Sequence, residues 1–70
     1  MNNKVINHIK KYRQQLGMSQ AELAKTVGVS RQSINSIERS RYTPSLPLAL
    51  LFARFFGCPT DELFDLEENS

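Results

Sequence analysis

The sequence predicts an all-α domain, a compact bundle of five short helices, and three observations predict it. Apolar residues recur at helical spacing in successive runs. A serine or a proline opens most of these runs, and a glycine or a proline-containing loop closes them. The stretches between runs are too short for anything but tight turns. A chain of 70 residues supports one core only. Its hydrophobic content of 40% suffices for a fold but leaves little margin, so added stability from a partner is expected.

The first helix is predicted over residues 5–16, where Ile6, Ile9, Tyr12 or Arg13, and Leu16 share one face. Gly17 stops it. The second starts at Ser19, whose spacing to Glu22 is that of a capping box satisfying orphan amides at both positions. Leu23, Ala24 and Val27 form its inner face, and Gly28 ends it. Val29 fills the corner, and Ser30 caps a third helix with Ile34 and Ile37 inside. The stretch RYTPS is a loop, because Pro44 disfavours helix at Thr43. Ser45 can cap the fourth helix, which runs to Gly57. Pro59 suits the start of a fifth, with Asp61 and Glu62 at its positive end. LFDL alternates like a strand and could pair with KVIN near the other end, which leaves room for short terminal β-strands. Residues 1–66 read as a single domain and residues 67–70 as a frayed acidic tail.

Composition removes several function classes. Cys58 is the sole cysteine and His8 the sole histidine, so neither a disulfide nor a zinc centre can be assembled, and no metal is expected. Cys58 reads as a small core hydrophobe, and His8 as a surface helix residue. No nucleophile stands beside a base, and no glycine loop could cradle a phosphate, so an enzyme, a cofactor and a small-molecule substrate are not expected. The longest apolar run, residues 48–56, is broken by Arg54 and cannot span a bilayer. A soluble cytoplasmic protein with no membrane partner and no separate effector domain is the simplest reading. The net charge of +2 hides an asymmetry: residues 1–54 hold every Lys and Arg and only Glu22 and Glu38, whereas residues 55–70 hold five acids and no base. A polyanionic partner engaged from one side fits that split, with chance segregation as the plain alternative.

The decisive pattern lies between Gln20 and Arg39. Leu23, Val27, Val29, Ile34 and Ile37 fall where two helices crossing at a tight turn must face the core. Ala24 falls at the close approach, and Gly28 at the turn that needs a left-handed backbone. This is the spacing of a DNA-binding helix-turn-helix, here over about residues 19–39. The other reading is a helical corner with no nucleic-acid role, and the exposed residues argue against it. Ser30, Arg31, Gln32, Asn35 and Ser36 would point outward, and no acid intervenes before Glu38. A helix in the major groove lies between two phosphate rows that repel carboxylates. Gln and Asn match the paired groups of adenine, and Arg grips guanine in a bidentate contact.

With these residues the sequence resembles the phage repressor/Cro-type helix-turn-helix regulators over roughly residues 9–66, most visibly in SQAELAKTVGVSRQSINSIERSRYTPSL and ALLFARFFGCPTDELF. The resemblance implies a lambda-repressor-like bundle that binds double-stranded DNA through the major groove. It implies base reading by Arg31, Gln32, Asn35 and Ser36. Phosphate contacts are implied for Gln20, Ser30, Arg39, Arg41, Tyr42 and Thr43, with Gln20 also bracing the reading helix. It further implies a structural ion pair between Arg13 and Glu38, which would keep that acid off the DNA. Lys4, Lys10 and Lys11 could touch phosphates, but a solvated helix face serves them equally well. Two departures stand out: Pro59 replaces the usual Ser or Thr cap, and Leu51 and Phe55 are more apolar than the family's pattern. The fourth helix carries more apolar surface than one small core can cover, so Leu51, Phe55, Phe64 and Leu66 are expected to join two copies in a homodimer. The expected function is a transcriptional repressor on a palindromic operator. The competing reading is an antitoxin or antirepressor-like module whose main contact is another polypeptide.

Overall fold

A computed structural model describes residues 5–67 and orders them as β1 (Val5–Asn7), α1 (Ile9–Gln15), α2 (Gln20–Val27), α3 (Arg31–Glu38), α4 (Leu46–Phe56), α5 (Thr60–Leu63) and β2 (Phe64–Leu66). Lys4 and residues 68–70 of the expected tail lie outside the described residues. The two strands form one antiparallel ribbon, with Val5 opposite Leu66, Ile6 opposite Asp65 and Asn7 opposite Phe64. The expected fold of five helices with short terminal strands is therefore the one observed.

The first helix is shorter than its apolar spacing predicts. Val5 and Ile6 pair with the chain's other end instead of adding a turn to α1. The His8 amide donates to the Leu63 carbonyl at 2.8 Å, and the Asn7 carboxamide oxygen accepts from the Ile9 amide at 3.2 Å. The side chain of Asn7 thus occupies one of the orphan donors at the start of α1, where a further helical turn would have done so. Ile6, now in the strand, and Leu16, the residue that follows α1, both expected on the inner face, are exposed. His8 precedes α1 and does not lie in it, and its Nε2 sits 2.9 Å from Asp65 Oδ2 across the ribbon.

The remaining helices follow their caps. Ser19, Ser30 and Ser45 each accept a backbone amide three residues on. Pro59 takes the N-cap position of α5, a single turn with Asp61 and Glu62 inside it. Every helix sends residues to the core: Ile9, Leu23, Ala24, Ile34, Ile37, Leu48, Phe52, Ala53 and Leu63. Phe52 is the largest of those fully enclosed. Burying a side chain of that kind contributes about 1.5–3 kcal/mol. Cys58 is half-buried and packs against this core.

Candidate nucleic-acid interface

The pair α2 and α3 is fixed from both ends. At the start of α2, Ser19 Oγ accepts the Glu22 amide at 3.0 Å, and Glu22 returns a carboxylate oxygen to the Ser19 amide at 2.8 Å. The Ser19 amide donating to that carboxylate, and secondly the nearby Ser19 hydroxyl, hold the Glu22 pKa below its ordinary value. At the corner, Gly28 has φ 81°, and no neighbour lies within 4 Å of where a Cβ would stand. The left-handed backbone, not crowding, is what requires glycine there.

Burial of Ile34 and Ile37 sets the rotation of α3 and turns its other side outward. Gln32 and Arg31 are exposed, and Asn35 and Ser36 half-buried. A shallow polar groove is lined by Ser30, Gln32, Ser33, Asn35, Ser36, Arg41 and Tyr42. No carboxylate lines it. The structure thus brings together Ser30, Gln32, Asn35, Ser36, Arg41 and Tyr42. Arg31 and Arg39 are exposed outside that lining. Thr43 borders a different, apolar groove with Val5, Pro44, Leu46, Ala49, Thr60, Asp61 and Phe64.

The acid of α3 is enclosed. Glu38 accepts from Arg13 Nε at 2.7 Å and Nη2 at 3.1 Å, while Arg13 Nη1 donates to the Met18 carbonyl at 2.8 Å. The side chains of Arg13 and Glu38 are only 11% and 3% exposed. The bond from Glu38 raises the Arg13 pKa further, against the opposing effect of burial. Gln20 joins the same cluster: its Nε2 donates to Glu38 Oε1 at 3.0 Å and to Asn35 Oδ1 at 3.4 Å. One linked set of polar side chains therefore ties α1, α2 and α3 together behind the groove. Sequence spacing alone did not reveal the engagement of Gln20 with Glu38, because the two lie 18 positions apart.

The turn after α3 carries an unusual backbone. Ser40 has φ 57°, the only described non-glycine residue with positive φ. Its amide donates to the Ile37 carbonyl and that of Arg41 to Ser36, both at 2.9 Å, which satisfies two orphan carbonyls at the helix end. This turn aims Arg41 and Tyr42 back along the groove.

Away from the groove, α4 leaves an apolar face in solvent. Leu51, Phe55 and Leu66 are exposed and Phe64 half-buried. Leu46 and Leu50, which sequence reasoning did not single out, are more exposed still than Leu51 and Phe55, at 70% and 52%. Pro47, Leu50, Leu51 and Arg54 line a shallow groove on this face. Among the described residues no cluster of His, Cys, Asp and Glu could hold a metal ion, and no helix is long and apolar enough to cross a membrane.

Comparison with known proteins agrees with this geometry. The helix-turn-helix family model matches residues 9–63, from the start of α1 to the end of α5. The chain belongs to the Cro/C1-type helix-turn-helix family. Members are DNA-binding transcriptional regulators, not a class of enzymes, and this chain is such a regulator. It is 44% identical over 63 residues to an uncharacterized HTH-type transcriptional regulator of Methanocaldococcus jannaschii, covering 90% of this chain and 96% of that one. A second uncharacterized HTH-type regulator, YgzD of Bacillus subtilis, is 42% identical over 64 residues, covering 91% and 97%. Among solved structures, the P22 c2 repressor in complex with a synthetic operator superposes with a TM-score of 0.72 at 36% identity. That match covers 76% of this chain and 80% of the repressor.

Proposed function

We propose that this regulator is a cytoplasmic repressor that binds a palindromic operator as a homodimer, each copy laying α3 in the major groove. The observation that carries the reading is the acid-free polar groove of α3, bordered by Arg41 and Tyr42, with the helix's one acid locked behind it by Arg13. Arg31, Gln32, Asn35 and Ser36 read base edges. Ser30, Arg39, Arg41, Tyr42 and Thr43 hold phosphates. Gln20 contributes through the backbone amides at the N-terminus of α2, since its side-chain amide is already engaged by Glu38 and Asn35. The solved P22 c2 complex with a synthetic operator supports duplex DNA as the partner.

Dimerisation follows from recognition. One α3 meets only a few base pairs, too little to single out a site in a genome, and a second copy doubles the reading. The exposed Leu51 and Phe55 of α4, with the exposed Leu66 and half-buried Phe64 of β2, support that role. The test separates reading from holding. Gln32→Ala should cost roughly 1–3 kcal/mol at a selected site and leave random-sequence binding nearly unchanged. Arg41→Ala should weaken both about equally and flatten the salt dependence. Indistinguishable profiles for the two variants would refute the division of roles.

A further inference from the structure

We infer that Asn7 is a positioning residue for DNA binding: from the terminal ribbon it holds the turn that aims Arg41 and Tyr42 along the α3 groove. The inference rests on the phosphate-holding role given above to that turn. Asn7 is the last residue of β1 and is half-buried. It does not line the polar groove, so any influence on DNA passes through what it touches. Both ends of its carboxamide are used. Oδ1 accepts the Ile9 amide at the start of α1, and Nδ2 donates to the Ile37 carbonyl, 30 positions away, at 2.6 Å. That carbonyl is the one that also receives the Ser40 amide at 2.9 Å. A carbonyl oxygen has two lone pairs, and here both find donors.

Ser40 is left-handed without being glycine, a conformation that persists only where the surroundings hold it. Asn7 supplies that hold from outside the helix. Asn7 is itself fixed from the far side, since it pairs with Phe64 across the ribbon and the next residue, His8, donates its amide to Leu63. The end of the reading helix, the direction of the following loop and the paired strands β1 and β2 are thus one connected unit.

Asn7→Asp separates the two arms of the side chain. It keeps an oxygen for the Ile9 amide and sets a second oxygen against the Ile37 carbonyl, where no donor remains. Asn7→Ser is the second variant: its hydroxyl can still cap α1 but is too short to reach Ile37. Binding is measured on a short mixed-sequence duplex and on a duplex selected from a random pool, across a salt series, with Arg41→Ala as the reference. Amide exchange at Ser40 is followed in parallel. Both Asn7 variants should bind the two duplexes about three- to tenfold more weakly, with a salt slope reduced by up to about one. Their Ser40 amide should exchange faster while that of Ile9 stays protected. In a background carrying Arg41→Ala and Tyr42→Ala together the Asn7 effect should shrink below about twofold, because all these changes act on the contacts of one turn. A merely destabilising substitution would instead add its full effect in either background, and that result overturns the inference. So does normal binding with a protected Ser40 amide while Arg41→Ala weakens binding. Undiminished binding by Arg41→Ala itself would overturn the phosphate reading of this loop, and the role of Asn7 with it.

Discussion

Glu38→Ala removes the partner of a nearly enclosed guanidinium, and its cost can be worked from the geometry. The carboxylate accepts two bonds from Arg13 and one from Gln20. Without it, Arg13 keeps only the Met18 carbonyl, at 11% side-chain exposure. Truncating one partner of a buried pair costs about 3–5 kcal/mol, and the remaining access of water to Arg13 sets this case near 3. A domain of this size is stable by about 3.5–10 kcal/mol in total, so the loss is a large share of it. Urea denaturation followed by far-ultraviolet circular dichroism would measure it for Arg13→Ala, Glu38→Ala and the double variant. The two single losses should fail to add by at least about 2 kcal/mol. Replacing both residues together, Arg13→Met with Glu38→Leu, should recover most of the loss. Additivity within about 0.5 kcal/mol would mean that the pair behaves as an exposed one and that Glu38 does not fasten α3 to α1.

Three further outcomes are expected. Ser40→Gly relieves a left-handed side-chain clash of about 1–2 kcal/mol and returns part of it through a freer unfolded chain, for a net gain of about 0.5–1 kcal/mol in chemical denaturation. A loss of stability would show that the serine side chain matters more than its backbone strain. Phe55→Glu, on the exposed face of α4, should leave the fold intact and convert a dimer to a monomer in sedimentation at micromolar concentration; a wild-type protein already monomeric there contradicts the proposed interface. Glu22 has a folded pKa below its unfolded value, so its contribution to stability is complete above about pH 4.3 and is lost as the pH falls through the lower folded value. The stability difference between the wild type and Glu22→Gln should therefore shrink on acidification, and a difference that stays constant would place that carboxylate outside the capping box.

Much of this fold was legible because its signals are local. Ser19, Ser30 and Ser45 announce their helices by side-chain chemistry within one turn, and Gly28 marks the corner by its backbone freedom. The acid-free stretch of α3 likewise showed in the order of residues. What failed was phase and distance. Val5 and Ile6 suit the start of a helix as well as a strand, and only pairing with residues about sixty positions away decides for the strand. In α4 apolar residues surround the helix, so no polar face fixed its rotation, and Leu46 and Leu50 were not separated from the buried Leu48 and Phe52. The second bond of Asn7, to Ile37, was invisible for the same reason: its acceptor is a backbone carbonyl, which carries no mark in the sequence.

Selection of bound duplexes from a random pool, followed by sequencing, tests the proposed function most directly. The expected product is a two-fold symmetric site whose half-sites lie about one helical turn, roughly 34 Å, apart, as two copies of α3 joined through α4 and the terminal ribbon require. Positions that lose their preference with Gln32→Ala should fall within each half. No enrichment over the starting pool, or enrichment of a single asymmetric site by a protein that stays monomeric, would contradict it.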